Sequence, residues 1–367
     1  MGIADQAPPY VRGISPYQPG KPISELAREM GFDAAAIVKL ASNENPLGMS
    51  PQAKSAISRA ALDAARYPDG NGFALKAALS AFTGVQPGQI VLGNGSNDVL
   101  ELVARAFLKA GDEAVMSAHA FAVYPLATLA VGATPVQVPA LEFGHDLAAM
   151  AAAVTPRTRV VFVANPNNPT GTFVSGAQLE AFIGALPGDV LVVLDEAYTE
   201  YLGEADRYDS IAWLDRFPNL LICRTFSKAY GLAGLRVGYG LGSGAVIDLL
   251  NRVRQPFNVN ALALAAATAA LADREFVARS AQLNQRGMVQ LTTAFAEMGL
   301  RWIPSRGNFV TVEVDDGAAV NAGLLRRGVI VRPIAGYGMP EWLRVSIGLP
   351  EENARFIDAL RRVLADA

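Results

Sequence analysis

The sequence of 367 residues is poor in histidine and cysteine, and each shortage excludes a class of chemistry. Only His119 and His145 are present, and no cysteine–histidine cluster occurs, so neither a zinc site nor a histidine-centred triad is expected. The single cysteine, Cys223, cannot form an internal disulfide bond. The first residues also lack the cationic and apolar segments of a signal peptide. These features favour a reducing, cytoplasmic location.

The chain also lacks the patterns that indicate a nucleic-acid or membrane partner. Its formal net charge is −3 at pH 7, and no basic cluster occurs along it. The longest weakly polar run, Ala261 to Ala272, is shorter than the ~18 residues that a membrane helix requires. We therefore expect a soluble protein that acts on small molecules.

Lysine is scarce as well, and the position of one lysine is unusual. Of the 31 lysines and arginines only six are lysines, and after Lys109 the only lysine is Lys228. Lys228 lies in the segment RTFSKAYGLAGLRVG, between an apolar run and mostly small or apolar residues. A desolvated lysine has a lowered pKa and can act as a nucleophile. The alternative is a lysine at a strand end that extends its ammonium group to water.

The pattern of the chain predicts a large α/β domain and a smaller α+β domain. Between Ile90 and Leu241 short β-rich runs alternate with helical segments, which is typical of a mostly parallel sheet sandwiched by helices. The predicted strands are 90–92, 113–117, 134–138, 159–163, 190–194, 220–223 and 236–241. We predict an N-terminal arm at 1–44 that is part of the smaller domain, a large domain at 45–258 and a C-terminal small domain at 259–367.

Four loops that follow predicted strands carry groups suited to a ligand, because open α/β sheets bind ligands at these strand ends. GNGSND at 93–98 opens a helix and suits a phosphate, or is a glycine-rich turn with a helix cap. NPNNPTG at 165–171 presents the Asn168 amide, or is a tight turn. DEAY at 195–198 places Asp195 where a buried carboxylate needs a cationic partner, which a structural salt bridge would also supply. The fourth loop contains Lys228.

Together the loops offer an amine, a carboxylate, a phenol, an amide and a phosphate cradle, and pyridoxal phosphate uses all of them. The motifs resemble those of the fold type I pyridoxal-phosphate aminotransferases, and specifically the histidinol-phosphate aminotransferase family. The resemblance covers essentially the whole chain. Its further motifs are PYQPGKP at 16–22, KLASNENPLG at 39–48, RYPDG at 66–70 and LRVSIG at 343–348.

The resemblance implies that Lys228 binds the cofactor covalently and moves the substrate proton, that Asp195 pairs with the pyridinium nitrogen, and that Tyr198 assists as a third catalytic residue. Asn168 and Tyr198 are implied to bond the ring oxygen, and Phe121 to stack on the ring. The implied phosphate-binding residues are Gly95, Ser96, Asn97, Thr225, Ser227, Arg236 and, from the neighbouring subunit of a homodimer with shared active sites, Tyr67.

For the substrate, the resemblance implies that Arg344 clamps the carboxylate of glutamate and shares its pocket with the phosphate of the imidazole substrate. Tyr17, Asn43 and Arg332 are implied to close the pocket. From the residues alone, the two arginines could equally be surface residues and Tyr17 could simply pack. The implied reaction converts histidinol phosphate and 2-oxoglutarate to imidazole acetol phosphate and glutamate, in histidine biosynthesis.

The sequence departs from the family pattern at two places and leaves alternative functions open. It has GSND where the family more often has GSDE, and His119 where a proline is common. Alternatives with the same cofactor are an aromatic amino acid aminotransferase and a decarboxylase of phosphorylated amino acids. An effector domain of a transcription regulator would need a basic helix-turn-helix region. A nicotinamide-dependent oxidoreductase would need an intact GxGxxG motif after a strand, which the sequence lacks.

Overall fold

The computed structural model describes residues 2–366. Its N-terminal arm forms a strand pair with the C-terminal part of the chain. The arm contains helices α1 (Pro9–Arg12) and α2 (Ile23–Met30) and strand β1 (Val38–Lys39). Strand β1 pairs in parallel with Val329–Ile330. Two helices follow the arm, α3 (Pro51–Ala60) and α4 (Phe73–Thr83). The Ser50 hydroxyl caps α3 by accepting a hydrogen bond from the Ala53 amide at 3.1 Å.

A seven-stranded sheet is the centre of the large domain. Its strands are β2 (Ile90–Gly93), β3 (Glu113–Ser117), β4 (Thr134–Val138), β5 (Thr158–Ala164), β6 (Leu191–Asp195), β7 (Leu220–Thr225) and β8 (Gly238–Gly242). Their spatial order is β2-β8-β7-β6-β5-β3-β4. Strand β8 is antiparallel to both of its neighbours, and the remaining pairs are parallel.

Helices cover both faces of this sheet, because its central strands are apolar on both sides. The helices of this region are α5 (Ser96–Phe107), α6 (Val123–Ala130), α7 (Leu147–Ala152), α8 (Gly176–Ala185), α9 (Gly244–Val253) and α10 (Ala261–Ala272). Helix α11 (Arg274–Glu297) follows them, and its C-terminal half packs in the apolar cluster of the small domain. On β5, Val161 and Val163 belong to one apolar cluster, whereas Val160 and Phe162 belong to another. This alternation follows from the two-residue period of a strand. The predicted large domain, a mostly parallel sheet sandwiched by helices, is confirmed.

The small domain is built on a four-stranded antiparallel sheet of order β12-β13-β10-β9. Its elements are β9 (Trp302–Ile303), β10 (Phe309–Glu313), α12 (Gly317–Leu325), β11 (Val329–Ile330), β12 (Arg332–Ile334), β13 (Met339–Ser346) and α13 (Pro350–Ala365). Strand β13 lies between β12 and β10, so that Arg344 is directly opposite Arg332 on one side and Thr311 on the other.

Five of the seven predicted strands have ends that shift by one or two residues, and one of these shifts has a clear local reason. The predicted strand 236–241 begins only at Gly238, because Arg236 has a left-handed backbone with φ of 59°. This difference matters for the site described below, because Arg236 lines its cavity.

The topology places the loops expected to bind a ligand at one edge of the sheet. Strands β5, β6 and β7 are parallel neighbours in which Asp195 lies between Ala164 and Cys223, so the three strands end at the same edge. The loop after β7 lies close to the end of the N-terminal arm: a side chain at Gly231, whose φ is 71°, would collide with the Gly48 carbonyl oxygen. Within residues 2–366, no helix has the length and apolar character needed to cross a membrane.

Candidate active site

A cavity of about 360 Å³ lies at this sheet edge, between the large domain and the small domain. Its walls contain 14 of the 16 residues predicted to form the site. These are Tyr17, Asn43, Ser96, Asn97, Phe121, Asn168, Asp195, Tyr198, Thr225, Ser227, Lys228, Arg236, Arg332 and Arg344. Residues that are 327 positions apart in the sequence, Tyr17 and Arg344, therefore face one space.

Lys228 lies on the cavity wall three residues beyond the end of β7. Its Nζ atom is 3.4 Å from the Ser42 carbonyl oxygen and 5.7 Å from the centre of the Tyr198 ring. Burial, followed by the charge of Arg344, lowers the pKa of Lys228 from 10.5 to about 8. The amine is therefore partly neutral near physiological pH, which is the form that acts as a nucleophile or base.

Asp195 is the last residue of β6 and is only 5% exposed. Its Oδ2 atom accepts a hydrogen bond from the Tyr124 hydroxyl at 2.9 Å, and Oδ1 accepts one from the Ala197 amide at 3.2 Å. Burial raises the pKa of Asp195 to about 6, although the Tyr124 hydrogen bond opposes this shift. No described cation forms an ion pair with this carboxylate, so the structural salt bridge considered above is not observed in residues 2–366.

Tyr124 was missed by the sequence prediction. It is fully buried, and its ring stacks on Phe162 with ring centres 4.8 Å apart. Its ring also meets Phe121 edge to face at 5.8 Å. The available signal was its position three residues after Phe121, close to one helical turn, which brings two side chains to the same face.

The amino end of α5 and the Arg236 side chain form a positive recess on one side of the cavity. Gly95 is the N-cap of α5 and has φ of 81°, and an added Cβ there would lie 2.7 Å from Arg236 Nη2. The first helical residues, Ser96 and Asn97, line the cavity together with Thr225. Free amide groups, the helix dipole and a guanidinium group converge here, and such a place favours a phosphate.

Arg344 is a buried cation without a carboxylate partner among the described residues. It is 7% exposed, and its Nη1 and Nη2 atoms donate to Asn168 Oδ1 at 2.6 Å and to the Ala41 carbonyl at 2.7 Å. Its Nε atom is buried and has no hydrogen-bond partner in residues 2–366. A buried guanidinium with free donor capacity suits a bound anion. The alternative of a surface arginine does not apply to Arg344.

The Tyr198 hydroxyl faces the same space. It accepts a hydrogen bond from Asn43 Nδ2 at 2.9 Å, and burial raises the pKa of Tyr198 to about 12. The phenol therefore remains protonated at physiological pH and can donate its own proton to a bound oxygen atom.

The N-terminal arm covers the cavity through Tyr17 and its neighbours. The Arg332 guanidinium lies 5.5 Å from the centre of the Tyr17 ring and also donates to the Gln18 carbonyl. Both side chains line the cavity, although Tyr17 is 49% exposed. Arg332 and Arg344, opposite each other on β12 and β13, place two guanidinium groups in one recess.

Two predicted residues, Gly95 and Tyr67, do not line this cavity. Gly95 lies directly behind its wall, next to Arg236. Tyr67 is 83% exposed, and its ring stacks on Phe257 with ring centres 4.7 Å apart. A position on the surface is what the prediction for Tyr67 requires, since that role was assigned to the site of a neighbouring subunit.

Comparison with known proteins identifies the class of protein to which the chain belongs. A family model described as "Aminotransferase class I and II" matches residues 35–360. The chain is 64% identical over 364 residues to histidinol-phosphate aminotransferase 1 of Thiobacillus denitrificans, covering 99% of this chain and 95% of that protein. It is 62% identical to histidinol-phosphate aminotransferase 2 of Ralstonia nicotianae, covering 98% and 97%.

A solved structure extends the similarity to three dimensions. The histidinol-phosphate aminotransferase from Sinorhizobium meliloti, in complex with pyridoxal-5'-phosphate, has a TM-score of 0.90 and 30% identity, covering 98% of this chain and 97% of that one. The chain therefore belongs to the class I and II aminotransferases and, within them, to the histidinol-phosphate aminotransferase family. The resemblance stated from the sequence motifs is confirmed.

The raised pKa of Asp195 predicts how pH affects the stability of the cofactor-free protein. The unfolded chain loses this proton near pH 4, whereas the folded chain keeps it until about pH 6. The free energy of unfolding of the wild type should therefore fall by about 2 kcal/mol between pH 4 and pH 6, relative to Asp195→Asn. Urea unfolding at several pH values measures this difference, and other groups cancel because both proteins share them. A difference independent of pH would contradict the assignment.

Proposed function

We propose that the protein is a pyridoxal-phosphate-dependent aminotransferase that converts histidinol phosphate and 2-oxoglutarate to imidazole acetol phosphate and glutamate, in histidine biosynthesis. The observation that carries this proposal is the pair of opposed arginines, Arg332 and Arg344, in a cavity that also contains Lys228 and Asp195. Curated relatives named histidinol-phosphate aminotransferase, 60–64% identical over nearly the whole chain, support it.

The residues of the cavity fit pyridoxal phosphate group by group. Asp195, buried without a cationic partner among the described residues, suits a protonated ring nitrogen, and Lys228 suits covalent attachment. In this proposal Asn168 and Tyr198, which line the cavity, donate to the ring oxygen, and Phe121 lies against the ring. The phosphate group would be held by Gly95, Ser96, Asn97, Thr225, Ser227 and Arg236.

When bound, pyridoxal phosphate supplies an electron-withdrawing ring that stabilises negative charge at the substrate α-carbon. The chain supplies the proton chemistry. With a pKa of about 8, roughly a tenth of the Lys228 amine is neutral at pH 7, so it can accept a proton from the substrate and return it. Above pH 6 the Asp195 carboxylate is ionised and can balance a positive ring nitrogen.

Substrate recognition follows from the charge of the outer recess. Arg344 can bind a carboxylate or a phosphate through paired donors, because the planar guanidinium group matches both anions. Arg332 and Tyr17 lie over the recess from the small domain and the arm, and Asn43 orients Tyr198. Two cations in one recess favour a substrate with a doubly charged phosphate over one with a neutral aromatic ring.

The substrate proposal predicts the effect of replacing Arg344. In Arg344→Lys, kcat/KM should fall about a hundredfold for both histidinol phosphate and glutamate, because a lysine cannot form the paired hydrogen bonds. Coupled assays of the two half-reactions measure this fall. The matched control is Arg252→Lys, which changes an arginine in a surface ion pair with Asp248 and should leave both values unchanged.

The same assays distinguish the alternative functions. If the wild type acts on phenylalanine more efficiently than on histidinol phosphate, it is an aromatic amino acid aminotransferase. If it releases carbon dioxide from a phosphorylated amino acid such as threonine phosphate, it is a decarboxylase. Either result would contradict the proposed substrate while leaving the cofactor assignment in place.

We further propose a homodimer in which each site borrows Tyr67 from the neighbouring subunit. Leu62, Tyr67 and Phe73 are 85%, 83% and 78% exposed, so a group of large apolar side chains lies uncovered on one chain. A cytoplasmic location fits the single buried cysteine, Cys223, and fractionation of expressing cells tests that location.

Shared sites predict that two inactive variants complement each other. When Lys228→Ala and Tyr67→Ala chains are co-expressed in equal amounts, half of the dimers are hybrids with one intact site of two. About a quarter of the wild-type activity should therefore return. Activity of the purified mixture, compared with each variant alone, measures this recovery. No recovery in a mixture that contains hybrid dimers would contradict the shared site.

A further inference from the structure

Behind Asp195 lies a cluster of three charged side chains for which the proposed chemistry has no use. Glu196 is 1% exposed, and the side chain of Arg224 is 13% exposed. Glu200 follows four residues later, with its Oε2 atom enclosed by protein. Neither Oε1 of Glu196 nor Oε2 of Glu200 has a hydrogen-bond partner within residues 2–366. Glu196 forms an ion pair with the guanidinium group of Arg224, whereas Glu200 interacts with Arg224 only through its charge.

The ion pair between Glu196 and Arg224 joins the ends of two neighbouring strands. Oε2 of Glu196 accepts a hydrogen bond from Arg224 Nε at 2.9 Å, and Arg224 Nη2 lies 2.8 Å from the same oxygen. The pair closes the ladder between β6 and β7, where the Glu196 amide donates to the Cys223 carbonyl at 2.8 Å. Because Glu196 follows Asp195 and Arg224 precedes Thr225, the pair sets the spacing between two loops of the cavity.

The cluster also reaches the loop that carries Asn168. Asn165, the first residue after β5, donates through Nδ2 to the Tyr208 hydroxyl at 3.1 Å. Burial, together with the neighbouring Glu196 carboxylate, raises the pKa of Tyr208. Tyr208 therefore stands between Glu196 and Asn165, and the ends of three parallel strands are connected beneath the cavity.

The ion pair is not expected to stabilise the fold much, and this favours a role in positioning the neighbouring loops. A buried ion pair contributes little net stability, because removing its charges from water offsets their attraction. Burial is the largest single influence on the pKa of Arg224 and lowers it, but Glu196, Tyr239 and Glu200 together outweigh burial, so the pKa of Arg224 is raised. Arg224 thus stays charged, and its flat guanidinium group holds one fixed geometry.

We propose that the Arg224–Glu196 ion pair is a positioning device for the Asp195 carboxylate. The inference rests on the proposed function, since it concerns how Asp195 meets the ring nitrogen of pyridoxal phosphate. Arg224 and Glu196 touch neither cofactor nor substrate in this account. They act by holding the carboxyl end of β6 against that of β7.

A double-mutant cycle tests the positioning role, with the dissociation constant of pyridoxal phosphate as the readout. Tryptophan fluorescence of the cofactor-free protein measures that constant. Arg224→Lys keeps the charge but loses the paired hydrogen bonds, and it should weaken binding about tenfold. In the Asp195→Asn background the same change should have no effect, because there is no carboxylate left to position. The control Arg216→Lys, in a surface ion pair with Glu180, should leave binding unchanged in both backgrounds.

Equal weakening by Arg224→Lys in both backgrounds would overturn the positioning role, since a merely structural effect does not depend on Asp195. A wild type that fails to bind pyridoxal phosphate would instead contradict the proposed function, so the two failures are distinguishable. Should Arg224→Lys not fold, Glu196→Gln, which keeps the shape of the side chain, takes its place in the cycle.

Discussion

The feature that determines what the cavity can bind is an imbalance of buried charges at the edge of the large sheet. Asp195 is a buried carboxylate without a cationic partner, whereas Arg344 is a buried cation without a carboxylate, among the residues that the structure describes. Neither arrangement favours folding, because removing a charge from water is costly unless a partner compensates. A ligand with a positive ring nitrogen and a substrate with an anionic group would supply the two missing partners. The two unpaired charges therefore lower the stability of the empty protein but provide groups that bind these ligands.

The fold brings these charges together through its topology. Three parallel neighbours, β5, β6 and β7, end at one edge, and each is followed by a loop that contributes a polar side chain. The small domain adds Arg332 and Arg344 from paired strands, and the arm adds Tyr17 above them. In the proposed function, the residues at the edge of the large sheet bind the cofactor, and those of the small domain bind the substrate.

Much of this arrangement could be predicted from the sequence, because strong local patterns determine it. Continuous apolar runs predicted the buried strands, and the polar loops that follow them predicted Asp195, Asn168 and Lys228 at one edge. Contacts between distant segments could not be predicted in the same way. The hydrogen bond from Tyr124 to Asp195 and the Glu196–Arg224 ion pair depend on how helices and strands pack, and neither has a local sequence signal. The left-handed backbone of Arg236 is also a tertiary effect, since this conformation is uncommon for arginine.

The proposed chemistry depends on Lys228 as the residue that binds pyridoxal phosphate covalently. Borohydride reduction of the cofactor-loaded protein, followed by peptide mass spectrometry, tests this role most directly. We expect the added cofactor mass on the peptide that contains Lys228, and no added mass at any site in Lys228→Ala. Stoichiometric labelling of another lysine, or an unlabelled wild type that has bound the cofactor, would contradict the assignment of Lys228.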